Sequence, residues 1–181
     1  MRKIKAAIRV IYNEIRFKFN SGIECAGKCT SRCGNEFVVS AGGKIKIGYH
    51  MCALKNCRFS AHGGILQIGT DVGFNTNCVV SSHDNIYIGS NVEIGPNVCI
   101  YDHDHDTKCE GGIKAGKFVT TPVSIGNETW IGANVVILRG TKIGANCIIS
   151  AGSIVKGEIP DNSIYIQKKD SIIKSNLNRS V

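Results

Sequence analysis

The chain has 181 residues, of which 43% are hydrophobic and 7% aromatic, and its formal net charge is +8. This is the length of one ordinary domain, with a core of small aliphatic side chains. The cysteine count is odd, no apolar run reaches about 18 residues, and the basic residues are dispersed, which argues against a disulfide framework, a membrane span and nucleic-acid binding.

Residues 1–20 are predicted to form an amphipathic helix, because apolar side chains recur there at spacings of three and four. The apolar positions are Ile4, Ile8, Ile11, Ile15 and Phe19. The segment has no apolar signal-peptide core, so we expect a cytoplasmic protein with reduced thiols. The helix has two possible roles. It makes weak contact with an anionic membrane surface, or it caps the fold or packs on a sister subunit, and we favour the second.

Residues 21–166 are organised by aliphatic positions that recur every six residues. These positions are Ile47, Ala53, Phe59, Ile68, Phe74, Val80, Ile88, Ile94 and Ile100, then Ile125, Ile131, Ile137, Ile143, Ile149 and Val155. A helix cannot keep this spacing on one face, whereas a short strand followed by a sharp corner can. Three such strands make one coil, and stacked coils form an all-β parallel β-helix. A repetitive β-sandwich is the alternative, and six consecutive hexapeptides in register disfavour it.

The cysteines need no chemistry in this fold. Cys57, Cys78 and Cys147 fall on interior positions and are predicted to serve as small hydrophobes. Cys25, Cys29 and Cys33 are spaced by four, which would suit half of a metal site. Because no second cluster accompanies them, we interpret them as buried thiols of the first coils.

The largest break in the repeat lies between Ile100 and Ile125, so residues 101–121 are predicted to leave the wall as an extruded loop. Its root, residues 100–108, reads IYDHDHDTK, with His103 and His105 among three aspartates. This stretch suits a metal cluster, a general base with its orienting acid, or a solvated loop. Residues 167–181 are predicted to be a basic, frayed tail.

The hexapeptides, the loop and the run TPVSIGNETWIGANVVILRGTKIGANCIISAGSIVKGEIPDNSIY resemble the hexapeptide-repeat acyltransferases. The branch is that of the galactoside, maltose and nodulation-factor O-acetyltransferases and of sugar acetyltransferases for exopolysaccharides. The resemblance covers roughly residues 65–166 and rests most on the phrase around Trp130 and the later SAGS. It implies a left-handed parallel β-helix, a homotrimer with sites between subunits, acetyl-CoA as donor, a histidine base and no metal.

The resemblance also implies site residues. Counted from Ile100, the family histidine falls on His105, and His103 has no family counterpart. A sugar-contacting asparagine falls on Asn75, and an acidic sugar ligand falls near His83 and Asp84. Asp102 is a further candidate for substrate binding. Asp102, Asp104 and Asp106 are also candidates to orient the histidine base.

On the donor side, Trp130 matches the tryptophan beside the acetyl group and the pantetheine arm, and Ala133 and Ala151 match backbone sites along that arm. The chain departs from the family at Lys156–Gly157 and in the tail from Gln167 to Asp170. The basic residues of this region are therefore the candidates for the CoA phosphates. They are Lys156, Lys168, Lys169 and Lys174.

The predicted function is acetyl transfer from acetyl-CoA to a sugar hydroxyl in surface polysaccharide synthesis, with His105 taking the hydroxyl proton. The acceptor is a sugar, a nucleotide sugar or a lipid-linked sugar. One alternative is N-acetylation of a nucleotide-linked amino sugar. Another is a zinc site like that of the γ-type carbonic anhydrases, through His83 with His103 or His105. A covalent mechanism through Cys99 or Cys109 and a non-catalytic trimeric scaffold are weaker alternatives.

Overall fold

The computed structural model describes residues 2–32 and 34–168. It begins with helix α1 (Arg2–Lys18). Most of the strands that follow belong to three sheets, and the strands within each sheet are parallel. We call these sheets faces A, B and C. Face A contains β1 (Ile23–Cys25), β4 (Lys44–Ile47), β7 (Ile65–Ile68), β10 (Asn85–Ile88), β15 (Val123–Ile125), β18 (Lys142–Ile143) and β21 (Glu158–Ile159). Face B contains β2 (Thr30–Ser31), β5 (Cys52–Ala53), β8 (Gly73–Phe74), β11 (Glu93–Ile94), β16 (Trp130–Ile131), β19 (Ile148–Ile149) and β22 (Ile164–Tyr165).

Face C contains β3 (Glu36–Ser40), β6 (Arg58–His62), β9 (Val79–Ser82), β12 (Cys99–Tyr101), β17 (Val136–Ile137) and β20 (Ile154–Val155). Across the described residues the three faces make six complete coils and two strands of a seventh. The molecule is therefore a left-handed parallel β-helix with a short N-terminal helix, as the repeat and the resemblance predicted. The first coil, β1 to β3, lies outside the stretch that the resemblance covered.

Each coil stacks its interior side chains directly on those of the next coil. The Cα partners of Ile88 are Ile68 on one side and Ile125 on the other. All fifteen repeated positions predicted to face inward are at most 3% exposed. The hydrophobic effect along this continuous column therefore holds together coils that are too small to fold alone.

The corners are turned by residues in left-handed backbone conformation. Asn77, Asn97 and Asn134 have φ of 61°, 58° and 57°, a region that asparagine tolerates better than most residues. Their side-chain amides bond from coil to coil, Asn77 to Asn97 at 3.1 Å and Asn97 to Asn134 at 3.0 Å. At the register break after β6, Gly64 is required because a Cβ there would lie 2.6 Å from the backbone nitrogen of Asp84.

Between β12 and β15 the chain leaves the stack. It forms an antiparallel hairpin of β13 (His103–His105) and β14 (Phe118–Thr120), with a short 3-10 helix at Gly112–Ala115. The hairpin returns the chain to face A, where β15 pairs with β10. A segment of this length is therefore accommodated without any change to the stacking of the coils below and above it.

Helix α1 packs on the first coil through a face other than its isoleucine stripe. Phe17 is 3% exposed and its ring meets Phe37 edge-on at 4.9 Å. Asn13 is 1% exposed and donates its side-chain amide to the carbonyl of Cys29 at 3.0 Å. The predicted apolar residues are instead 53–87% exposed; they are Ile4, Ile8, Ile11, Ile15 and Phe19. The helix thus covers the open coil, and its apolar stripe remains exposed among the described residues.

No helix among the described residues is both long and apolar enough to cross a membrane.

The interior cysteines are buried, and their thiols donate to backbone carbonyls of the next coil. Cys57, Cys78 and Cys147 are at most 1% exposed, as predicted. Cys29 is also buried, Cys25 is half-buried, and the described cysteines are free thiols. Cys33 lies outside the described residues.

Phe59 lies between Phe37 and Phe74 in the interior of the first coils. Replacing it tests how much these aromatic contacts stabilise the fold. Its ring stacks on Phe37 at 5.0 Å and meets Phe74 at 4.8 Å, and it is fully buried. We expect Phe59→Ala to lower the free energy of unfolding by about 3–5 kcal/mol, because a large cavity would remain. Urea denaturation measures this. Ile113→Ala, at a position 62% exposed, is the matched control, and an equal loss in both variants would contradict this role of the aromatic contacts.

Candidate active site

The stretch IYDHDHDTK forms the point where the chain leaves the coils. β12 ends at Tyr101, and in the hairpin His103 pairs with Thr120 and His105 with Phe118. Since alternate strand residues share a face, His103 and His105 lie on one side of the hairpin and Asp104 lies on the other. The structure therefore sorts the five titratable side chains into separate environments.

Asp102 is the buried centre of this corner. It is 0% exposed, and its carboxylate accepts the backbone N–H groups of His83 at 2.8 Å and Asp84 at 2.9 Å. It also accepts the hydroxyl of Ser82 at 2.9 Å and Nδ1 of His103 at 3.0 Å. Four donors compensate the cost of burying the charge. With the proton of His103 held on Nδ1, its Nε2 keeps a lone pair that can accept a proton.

His105 has a different environment from His103. Its side chain is exposed, and its ring contacts Phe118 at a centroid distance of 4.8 Å. Asp104 is paired with Nε of Arg139 at 2.5 Å, and Asp106 accepts the backbone N–H of Cys109 at 3.1 Å. Within the described residues no carboxylate therefore holds His105, and of the three candidate aspartates only Asp102 orients an imidazole, that of His103.

A ladder of polar side chains runs down the corner between faces C and A. The ring of His103 lies against that of His83, with centroids 3.9 Å apart and planes tilted by 40°, and the ring of His83 lies 5.2 Å from that of His62. His62 Nδ1 bonds the hydroxyl of Ser40 at 2.7 Å. His62 and Ser40 were not among the predicted site residues, although the spacing of positions 62, 83 and 103 equals the local coil length.

Phe118 and Arg139 were also missed by the sequence analysis. The ring of Phe118 lies 4.2 Å from that of His83 and 5.1 Å from that of His103. Arg139 bonds Asp104 and the hydroxyl of Thr121, which fixes the outer side of the hairpin to the fifth coil. No sequence pattern indicated Phe118 or Arg139, because their contacts with the histidines and with Asp104 form only when the hairpin folds back on the coils. We call the set formed by His62, His83, Asp102, His103, His105 and Phe118 the histidine corner.

The pKa of His83 is lowered from its ordinary value of 6.5, first because burial penalises the charged ring. Positive charge on His103 and then on His62 lowers the pKa of His83 further, while Asp102 opposes the shift. The shift therefore favours the neutral form of the His83 ring. A neutral imidazole can stack between two others without charge repulsion.

The predicted donor-side residues occupy another part of the protomer. Trp130 lies on the outer surface of face B and is 56% exposed. Ala133 and Ala151 follow β16 and β19 at the corner between faces B and C, one coil apart, and the carbonyl of Ala133 accepts the N–H of Gly152 at 2.8 Å. Asn75 follows β8 at this same corner, in a lower coil. We call Asn75, Trp130, Ala133 and Ala151 the tryptophan group.

Within one protomer, face C separates the tryptophan group from the histidine corner. The structure brings together His83, Asp84, Asp102 and His103, and it does not bring Asn75 to them. Lys156 is exposed after β20, at the corner between faces C and A. Lys168 is exposed beyond β22, and Lys169 and Lys174 lie outside the described residues.

The histidine corner has no ready cage for a metal ion. In residues 2–32 and 34–168, no group of three or more His, Cys, Asp or Glu side chains has an arrangement that could hold one. The aspartates of the loop root instead serve hydrogen bonds and an ion pair.

Comparison with known proteins identifies the family to which the chain belongs. Residues 122–157 match the family described as bacterial transferase hexapeptide (six repeats). WbbJ of Escherichia coli K12, to which O-acetyl transfer in lipopolysaccharide biosynthesis is ascribed, is 30% identical over 146 residues, which cover 73% of this chain and 72% of WbbJ. The chain belongs to the family of hexapeptide-repeat acetyltransferases.

Two solved structures are similar. A galactoside acetyltransferase in complex with coenzyme A has 30% identity and a TM-score of 0.51, over 78% of this chain and 58% of that one. AntD, an N-acyltransferase from Bacillus cereus bound to dTDP-4-amino-4,6-dideoxyglucose and coenzyme A, has 19% identity and a TM-score of 0.71, over 91% and 88%. The second likeness is one of fold alone. The chain spans about half the length of the curated relatives it matches, from 39% to 57% for three of them.

The lowered pKa of His83 gives a titration test of the ladder. We expect its ring to titrate below 6.5 and the His103→Gln substitution to raise this pKa, because the substitution removes a neighbouring positive charge. The stability that neutral His83 contributes is fully present above pH 6.5 and is lost as the pH falls through the lowered pKa. NMR titration of the histidine C–H signals measures both values. His105→Gln is the control and should change the pKa less, and an unchanged pKa in His103→Gln would contradict the charge coupling.

Proposed function

We propose that the chain is an acetyl-CoA-dependent O-acetyltransferase that acts on a sugar hydroxyl. The observation that carries the proposal is the pair of imidazoles at the root of the extruded loop, one of them held by a buried carboxylate, on a hexapeptide-repeat scaffold. The galactoside acetyltransferase with coenzyme A and the role ascribed to WbbJ support a sugar hydroxyl as acceptor. The WbbJ likeness also supports a role in surface polysaccharide synthesis.

We propose His105 as the general base. It occupies the family position counted from Ile100, and its exposed ring is open to an acceptor, whereas the side chain of His103 is 13% exposed. The hydrogen bonds that orient His105 would form in the complete site, because catalytic hydrogen bonds often tighten only when the substrate is bound. His103, fixed by Asp102, would position the acceptor beside it.

The chemistry needs one base and one exposed thioester. His105 takes the proton of the acceptor hydroxyl while the oxygen attacks the acetyl carbonyl, so the new C–O bond forms as the C–S bond breaks. The imidazolium then returns the proton to the leaving thiolate. Such general-base catalysis typically contributes about 10²–10⁴-fold to the rate.

The tryptophan group fits the donor. An exposed indole ring on face B offers an apolar surface, and the small side chains of Ala133 and Ala151 leave room for a pantetheine arm to approach the backbone. Lys168 supplies positive charge for the CoA phosphates, and Lys169 and Lys174 in the undescribed tail add to it. Lys156, at the corner between faces C and A, would contact the phosphates of a CoA held by the tryptophan group of a neighbouring subunit. We propose that acetyl-CoA binds along this group.

The separation of the two groups within one protomer supports sites built between subunits. The histidine corner of one protomer and the tryptophan group of its neighbour would complete one site. A closed homotrimer provides three such junctions, each formed by two unlike surfaces.

The first test compares the two histidines. We expect His105→Ala to reduce acetyl transfer at least 100-fold and His103→Ala to reduce it less, since only the first removes the base. Thiol release from acetyl-CoA, measured against a panel of sugars and nucleotide sugars, reports the rate. His50→Ala is the matched control, because His50 is exposed at another corner with Asp71, and it should retain full activity.

Two results would contradict these assignments. A loss at His103→Ala equal to or larger than that at His105→Ala would make His103 the base. Transfer to amino sugars without transfer to any hydroxyl acceptor would make the protein an N-acetyltransferase.

The second test asks whether two subunits share one site. Trp130→Ala should raise the KM for acetyl-CoA at least tenfold. When equal amounts of the Trp130→Ala and His105→Ala chains are co-expressed and all the resulting oligomers are assayed together, random assortment leaves about a quarter of the junctions with both native residues. We therefore expect activity near a quarter of the native value. Activity no greater than that of the two variants alone would place the site within one chain.

A further inference from the structure

We propose that helix α1 binds the surface of an anionic lipid bilayer through its exposed isoleucine stripe. The stripe consists of Ile4, Ile8, Ile11, Ile15 and Phe19, each more than half exposed. This proposal does not depend on acetyl transfer. It rests on the direction in which the stripe points, the charge around it, and what the rest of the helix already contacts.

The stripe points away from the coils. With 3.6 residues per turn, Ile8, Ile11 and Ile15 lie on the opposite side of the helix from Asn13 and Phe17. The latter two are buried against the first coil, so the helix already lies across the open end of the stack. Its apolar stripe must therefore face outward along the axis of the β-helix, as the bottom surface of the protomer.

The helix is fixed in this orientation by more than one contact. Arg16 lies over the ring of Phe37, with Cζ 5.6 Å from the centroid, and Nη1 donates to the carbonyl of Asn35 at 3.4 Å. Rotating the stripe inward would break these contacts and expose Phe17. An apolar stripe held outward by the fold needs a partner of its own.

The charge of the chain is concentrated at this end. Residues 1–32 contain eight Lys or Arg and two Glu residues, so they carry six of the eight net positive charges. Among the basic residues with described side chains, Lys18, Lys28 and Arg32 are exposed. An apolar stripe beside basic residues is the composition of helices that lie in a membrane interface, where the apolar face enters the acyl boundary and lysines meet anionic headgroups.

This charge also decides between a bilayer and a second copy of the chain. Two copies stacked end to end on their stripes would bring together two strongly basic ends, and the repulsion would oppose the contact. Anionic headgroups instead neutralise the same charges. The occupant that satisfies both the apolar stripe and the basic residues is therefore an anionic lipid surface.

Co-sedimentation of the full chain with lipid vesicles tests the proposal. We expect binding to vesicles of phosphatidylcholine with 30% phosphatidylglycerol to be at least tenfold tighter than to phosphatidylcholine alone, and to weaken as NaCl is raised. Ile8→Glu with Ile11→Glu should reduce binding to the anionic vesicles at least tenfold. Because both positions are more than half exposed, the thermal melting temperature should not change.

Two further variants separate the apolar and the charged contributions. Lys18→Glu with Lys28→Glu should weaken binding to anionic vesicles at least fivefold and leave binding to neutral vesicles unchanged. Ile113→Glu, which changes an exposed isoleucine on the extruded loop, is the matched control and should bind as the native chain does.

Three outcomes would overturn the proposal. The first is no binding to anionic vesicles, and the second is equal binding to neutral and anionic vesicles. The third is a native assembly, measured by analytical ultracentrifugation, that the double isoleucine variant splits into smaller units without any vesicle binding by the native chain. That result would show that a second copy covers the stripe.

Discussion

The stacking of interior side chains in register is the constraint on which the rest of the structure depends. Each coil obtains its core from the coils below and above it, as Ile88 does from Ile68 and Ile125. Backbone hydrogen bonds between coils require the same register. Extra residues must therefore leave the wall at a corner, and the segment between β12 and β15 does so as a hairpin. The histidine corner lies at this exit.

Register also explains why Asp102 can be buried. At its position the backbone N–H groups of His83 and Asp84 point from the coil below toward one carboxylate. The carboxylate satisfies them, and through Nδ1 it fixes the ring of His103. One residue thus joins the corner of a lower coil to the first residue of the hairpin. Hydrogen bonds to the rigid coils therefore fix the orientation of the His103 imidazole at the start of the loop.

The sequence predicted the interior of the coils because six-residue spacing follows directly from strand and corner geometry. It could not assign Asp102 to His103, since that depends on the alternation of β13 and on backbone donors from another coil. The ladder of His62, His83 and His103 follows a period of about one coil, and that period becomes visible only once the register breaks are located. The wall and the loop exit were therefore predictable, and the contacts between coils at the exit were not.

Helix α1 shows a different limit of periodicity. The spacing of its isoleucines correctly indicated a helix, yet the docked face contains Asn13 and Phe17. The open first coil offers the carbonyl of Cys29, which needs a donor, and the ring of Phe37, which needs an aromatic partner. Isoleucine supplies neither. The polar requirement of the coil end thus selects the docked face, and the stripe remains for an outside partner.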